Sequence, residues 1–120
     1  MKKAYRVKKS QEIEQILKEK KYRSSTAFSI YQKKQTETIH FRYAISVGKK
    51  LGNAVERNRL KRQIRAIVRE LKIIDSVDLF IIVRKGVIGL SYETMKQEIV
   101  MLLKKQKLIV KGANDDAIHL

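Results

Sequence analysis

"IHFRYAISVGKKLGNAVERNRLKRQIRAIVREL", residues 39–71, changes its hydrophobic period part-way along, and that change decides the fold. Up to Val47 the apolar residues alternate. Ile39, Phe41, Tyr43, Ile45 and Val47 fall on one side, and His40, Arg42, Ala44 and Ser46 on the other, as in a strand with one face in a core. "GKKLGN" (48–53) is a basic, glycine-bearing loop. Asn53 followed by Glu56 has the form of a capping box, which predicts a helix from there to about Leu71. With 100° per residue and Leu60 at zero, Ile64, Ile67 and Leu71 fall within about 40° of it. Lys61, Arg65, Lys72, Asn58, Arg69 and Arg62 fall between about 100° and 200°, and Arg59 lies further round. The helix has one buried stripe and one wide basic face.

That basic face destabilises the helix that carries it. Arg57/Lys61, Lys61/Arg65 and Arg65/Arg69 are like-charged i,i+4 pairs, and Arg59/Arg62, Arg62/Arg65 and Arg69/Lys72 are like-charged i,i+3 pairs. At roughly 0.2–0.5 kcal/mol each they sum to about 1–3 kcal/mol, less with salt. One favourable pair, Glu56 with Arg59, is expected against them. A helix that only faced water would interleave signs, as "QEIEQILKEKK" (11–21) does. The uncompensated density points to a polyanion, and the planar arginine fork binds phosphate in bidentate fashion. Such contacts hold a nucleic-acid backbone without reading bases.

Outward from this stretch, "STAFSIYQ" (25–32) reads as a strand with Phe28 and Ile30 on one face and Ser29 and Tyr31 on the other. The polar residues 33–38 are expected to turn the chain into the strand at 39–47, giving an antiparallel pair. Ser10 can cap a first helix at 11–20, with Ile13, Ile16 and Leu17 along one stripe. "VDLFIIV" (77–83) reads as an apolar strand covered on both faces. "KGVIGL" (85–90) is a loop, and Ser91 can cap a last helix, 92–105, whose inward stripe is Tyr92, Met95, Ile99, Leu102 and Leu103. The coarse order is helix, strand, strand, helix, strand, helix: an α+β fold with helices packed on a small mixed sheet. Residues 1–120 are expected to form one domain, with a frayed tail from about Lys111.

The composition agrees with a polyanionic partner. The 120 residues carry a formal net charge of +16, and such self-repulsion opposes compaction. There is no cysteine, which excludes disulfide scaffolds, zinc fingers, iron–sulfur sites and thiol chemistry. No apolar run approaches the roughly 20 residues of a membrane span. "MKKAYRVKKSQEIEQ" has a basic start without an apolar segment and is not a secretion signal. A protein nuclease needs metal-binding carboxylates or acid–base groups. Glu12 with Glu14, and Asp75 with Asp78, make no convincing metal constellation, and His40 reads as a partly exposed strand residue. No catalytic residue is assigned, and no metal ligand is identified on the chain.

"SVGKKLGNAVERNRLKRQIR" (46–65) resembles the signature of the protein subunit of bacterial ribonuclease P, whose RNR motif matches Arg57-Asn58-Arg59 followed by Leu60-Lys61-Arg62. The resemblance runs from "YRVKKSQEI" (5–13) to the final helix. It implies an RNA-binding subunit of a ribozyme, which binds the catalytic RNA and the single-stranded 5′ leader of precursor tRNA and aids removal of that leader. The rival reading is a ribosomal or other structural RNA-binding protein of similar fold. The resemblance also implies a fold like the second domain of ribosomal protein S5, with a left-handed βαβ crossover. Residue spacing cannot reveal that hand, since right-handed crossovers are the strong default.

Carried over residue by residue, the resemblance gives Arg57, Arg59 and Arg62, with Lys49 and Lys50 of the preceding loop, to the catalytic RNA. It gives Ile13, Leu17, Tyr31, Asn58, Lys61 and Arg65 to the leader, and the alternation of the two strands sets Arg42 and Ser46 beside Tyr31 on one sheet face. The family commonly has aromatic residues where this chain has Ile13 and Leu17. An aliphatic side chain can pack on a base but offers no π-face, so Tyr31 is expected to carry more of the leader contact. The implied cofactor is Mg2+, required by the RNA-based holoenzyme; the resemblance implies that the protein helps to bind those ions, and no site for them is assigned on the chain. The implied partners are the catalytic RNA and precursor tRNA, in a 1:1 complex with a monomeric protein in the cytoplasm.

Overall fold

The computed structural model describes residues 5–110. The elements are α1 (Ser10–Lys18), β1 (Tyr22–Ser24), β2 (Phe28–Lys34), β3 (Arg42–Val47), α2 (Ala54–Arg69), β4 (Val77–Val83) and α3 (Tyr92–Lys105), with short 3-10 turns at Lys49–Leu51 and Lys85–Val87. The strands form one sheet in the order β1-β2-β4-β3. The α+β class and the three-helix order expected from the sequence hold. So do the bounds of β4 and of α3, whose cap Ser91 accepts from Thr94 N–H at 3.1 Å.

The expected antiparallel pair of β2 with β3 does not form. β4 lies between them, antiparallel to β2 from Phe28–Val83 to Lys34–Val77 and parallel to β3 from Arg42–Asp78 to Val47–Val83. A strand apolar on both faces is best buried in the middle of a sheet, and β4 is that strand. The polar segment after β2 is therefore a connection across β4 and not a hairpin turn. The buried Gln35 organises it: its Oε1 accepts from Glu37 and Thr38 N–H at 2.7 and 2.9 Å, and its Nε2 donates to Thr38 Oγ1 and the His40 carbonyl at 2.7 and 3.2 Å. Ile39 belongs to this connection and is 81% exposed, not inward as its alternation suggested.

Two local expectations also change. Ser10 is the first helical residue of α1, and the residue before it is Lys9, whose N–H reaches Glu12 Oε1 at 3.4 Å. β1 has no counterpart among the expected strands, because "KEKKYRSS" (18–25) shows no alternation of apolar residues.

Alternation along β4 divides the interior. Val77, Leu79, Ile81 and Val83 face the main core, where Ile64 and Ile67 of α2 and Met95, Ile99, Leu102 and Leu103 of α3 meet Phe28 and Ile30 of β2. On the opposite face α1 buries Ile16 with Val7 and Ala44, and Ile13, Tyr31 and Phe80 pack around them. The sheet thus carries α2 and α3 on one side and α1 on the other. β3 is the outer strand, and its edge is covered by the incoming chain: Val7 N–H donates to the Tyr43 carbonyl at 3.0 Å.

Candidate nucleic-acid interface

The start of α2 is fixed locally. Gly52 has φ +137, a conformation that side chains disfavour, and a Cβ there would meet Glu56 Oε1 at 2.9 Å. Asn53 Oδ1 accepts from Glu56 N–H at 2.9 Å, and Glu56 Oε1 accepts from Asn53 N–H at 3.1 Å. The capping box therefore takes Glu56, and the expected Glu56–Arg59 pair is not made. At the other end Glu70 accepts from the Tyr92 hydroxyl at 2.8 Å and lies 3.6 Å from Lys96. Burial and this bond push the Tyr92 hydroxyl up to about 12. The acid of the helix, Glu56, and the one at its C-terminal cap, Glu70, are thus engaged away from its arginines. Among the described residues no ion pair neutralises Arg57, Arg59, Lys61, Arg62, Arg65 or Arg69.

These cations do not share one environment. Arg59 and Arg62 are exposed, as are Asn58 and, in the preceding turn, Lys49 and Lys50. Lys61 and Arg65 are half-buried. Arg57 lies only about 60° from Leu60 on the wheel. It is half-buried, and its Nε is shielded without a hydrogen-bond partner. The Tyr43 hydroxyl locates the flank: burial pushes it up, against the opposing pull of Arg65, Arg69 and Arg6. The basic flank of α2 therefore lies close to Tyr43, on the outer strand β3.

The remaining expected residues lie on the α1 side of the sheet. Tyr31 packs with Ile13 around the small cluster, and Leu17 is half-buried on the same helix. Ser46 is half-buried on the same face of β3. Tyr31 has a partner that the sequence pattern does not announce. Tyr22 of β1 lies directly across from it, the rings stacked at 4.5 Å and 21°. Tyr22 is 48% exposed, so the pair offers an open aromatic surface. The turn-rich "RSST" (23–26) between the two tyrosine-bearing segments is the signal that could have found this hairpin.

Arg42 has a different surrounding. Its Nε and Nη2 bind both oxygens of Asp78 at 2.9 and 2.7 Å, and Nη2 also lies 2.9 Å from Glu12 and from Glu37. The bond to Asp78 leads the causes that hold the guanidinium charged. Burial would raise the Glu12 carboxyl, but its bond and charge interaction with Arg42 outweigh that and lower it. In the sequence Asp78 falls within an apolar strand. In the fold it is a buried acid on the α1 face, matched by Arg42.

The structure thus joins Ile13 with Tyr31, ties Arg42 to α1, and sets Asn58, Lys61 and Arg65 on α2. No hydrogen bond, ion pair or ring contact among the described residues links that last set to Tyr31. Among the described residues no group of three His, Asp or Glu side chains is placed to hold a metal. Where Glu12, Glu37 and Asp78 converge, the Arg42 guanidinium already fills the space. No helix of the described residues is long and apolar enough to cross a membrane.

The family model for ribonuclease P matches residues 1–107. The chain belongs to the ribonuclease P protein family. It is 41% identical over 120 residues to the ribonuclease P protein component of Streptococcus pyogenes serotype M5 (strain Manfredo), covering 99% of this chain and 100% of that one. Its fold is similar to that of the Staphylococcus aureus RNase P protein, with a TM-score of 0.81 at 34% identity over 90% of this chain and 100% of that one. It is also similar to the RNase P protein from Thermotoga maritima, with a TM-score of 0.75 at 29% identity over 83% and 96% of the two chains. A ribonuclease P protein component is an RNA-binding part of that holoenzyme and serves tRNA processing.

Proposed function

We propose that the chain holds two RNAs and leaves the chemistry to one of them. Arg59 and Arg62, with Arg57, Lys49 and Lys50, bind the backbone of the catalytic RNA. Tyr31, extended by Tyr22, stacks on bases of the precursor's single-stranded 5′ leader, against Ile13 and Leu17. Asn58, Lys61 and Arg65 hold leader phosphates, with Ser46 at the same end of β3. Arg42 acts as a positioning residue for α1, since three carboxylates surround its guanidinium. The observation that carries the reading is the α2 arginine set with no acidic partner among the described residues. Such a set is worth its like-charge repulsion only if phosphates neutralise it.

The family implies Mg2+ for cleavage. In this reading those ions are assigned to the RNA, and the protein's part is to hold the two RNAs. The chain acts as a monomer, one per catalytic RNA, in the cytoplasm. The test adds purified chain to ribonuclease P RNA and precursor tRNA at low magnesium. Restored cleavage with RNA, and none by the chain alone, is the expected result. Binding without stimulation would return the chain to a structural RNA-binding role.

A further inference from the structure

Between β3 and the C-terminal half of α2, on the sheet face away from Tyr31, lies a cavity of about 740 Å³. That is within the usual range of small-ligand sites. One wall is aromatic. Tyr5 lies 4.4 Å from the His40 ring and 5.4 Å from Phe41, and Phe41 lies 6.0 Å from Tyr43. Tyr5 and Phe41 pack against the main core, but both rings and that of His40 are only half-buried and keep an exposed part. The other wall is the end of α2 with Arg69, and Asp75 stands at the rim. Arg65 and Arg6 act on the same Tyr43 hydroxyl as Arg69 does.

Neither wall needs the other for folding. A guanidinium beside an aromatic cluster can stabilise it by cation–π contact, yet among the described residues no such contact ties these rings to Arg69 or Arg65. A solvated basic helix end has no use for open rings. Together they are the chemistry of single-stranded nucleic acid: a π-face for the base and a cation for the phosphate. Lys61, Arg65 and Arg69, four residues apart, form one row on α2 about 12 Å long. A strand held at the RNR end of the helix and following that row arrives at the cavity.

We propose that this cavity binds one unpaired RNA nucleotide, the base stacked on Tyr5, His40 and Phe41 and its phosphate held by Arg69 and Arg65. The His40 Nδ1 lies 2.9 Å from the Phe41 carbonyl, so it donates there, and Nε2 is the ring nitrogen left for a base edge. Asp75 turns the phosphate toward the arginines. The site lies apart from the leader surface at Tyr31 and Tyr22. It rests on the reading of this chain as an RNA-binding subunit, and it adds a nucleotide contact that the RNR motif does not supply.

The test uses the full chain, 15N-labelled, titrated with a five-nucleotide single-stranded RNA. Amide shifts at 40–43 and 68–73 are expected, besides any at Tyr22 and Tyr31. Two variants read the walls separately: Tyr5→Leu keeps apolar bulk without a phenol ring, and Arg69→Gln sits on an exposed helix surface where folding is safe. Each should weaken binding at least about fivefold, the lower end of one base–aromatic stack. The same variants then locate the nucleotide's source. Lost affinity for ribonuclease P RNA alone assigns it to the catalytic RNA. Lost affinity of the holoenzyme for precursor but not mature tRNA assigns it to the leader. The control is Arg59→Ala with Arg62→Ala. If that control loses RNA affinity and folded Arg69→Gln loses none for the five-nucleotide RNA, ribonuclease P RNA or precursor tRNA, the pocket is refuted and the RNA-binding reading stands. If the control loses none either, both fail.

Discussion

Arg42 and Arg59 carry the same side chain and do opposite things. The Arg42 side chain is 12% exposed and meets three carboxylates, one of them on Asp78, itself only 5% exposed. Arg59 is exposed, and no ion pair holds it among the described residues. The first cation is neutralised inside the protein and locks α1 to the sheet. The second is left for a partner to neutralise. What separates a structural arginine from a binding one is therefore not the residue or its local pattern but where the acids went. Glu12, Glu37 and Asp78 gather at Arg42, while Glu56 of α2 and Glu70 just past its end are taken by the cap and by α3.

The sharpest way to break this contrast is Arg42→Met. It leaves Asp78 as a buried acid without its partner, which should destabilise the fold by about 3–5 kcal/mol. Urea unfolding measures it, and a loss below about 1 kcal/mol would place Arg42 among the solvated cations after all. Next in size is Tyr31→Ala. It should cost about 1–3 kcal/mol in holoenzyme affinity for precursor tRNA if it stacks on a leader base. Mature tRNA should bind as before, and an equal loss for both substrates would assign Tyr31 to assembly.

Arg59→Ala with Arg62→Ala tests the other side of the contrast. Stability should hold within about 0.5 kcal/mol, because neither residue is buried and like-charge pairs are relieved. The salt slope of log K for the catalytic RNA should fall by about 0.7–0.9 for each phosphate the variant no longer holds. An unchanged slope means that these arginines touch no phosphate. The smallest effect concerns acid. Glu12 has its carboxyl lowered in the fold, so its stabilising contribution is present above the unfolded value near 4.5 and is lost as pH falls through the lower folded one. Glu12→Gln should flatten that part of the stability curve. A mutant curve with the parent's slope between pH 5 and 3 (roughly the window of an ordinary carboxylate) would show that the pair with Arg42 is not felt in solution.

The sequence by itself determined whatever depends on neighbours along the chain. The Asn53–Glu56 capping box, the Ile64/Ile67 stripe, the open basic face of α2, the span of β4 and the Ser91-capped α3 all rest on short-range spacings, and the structure keeps them. The RNR stretch lies inside one such element, which is why the family was legible. Only the tertiary structure decided what those elements do to one another. Antiparallel β2–β3 pairing was the shorter connection, yet β4 entered between the two strands because both of its faces need cover. The sequence groups Arg42 with the leader-contact residues because its carboxylate partners Glu12 and Asp78 are 30 and 36 residues away and no local pattern announces them. The meeting of Tyr5 with His40 and Phe41 was invisible for the same reason, whereas the Tyr22–Tyr31 pair is local and its one signal is the turn. Periodicity reports which face of an element is apolar, whereas pairing of strands and of charges is settled between distant segments, by burial and by neutralising each buried charge.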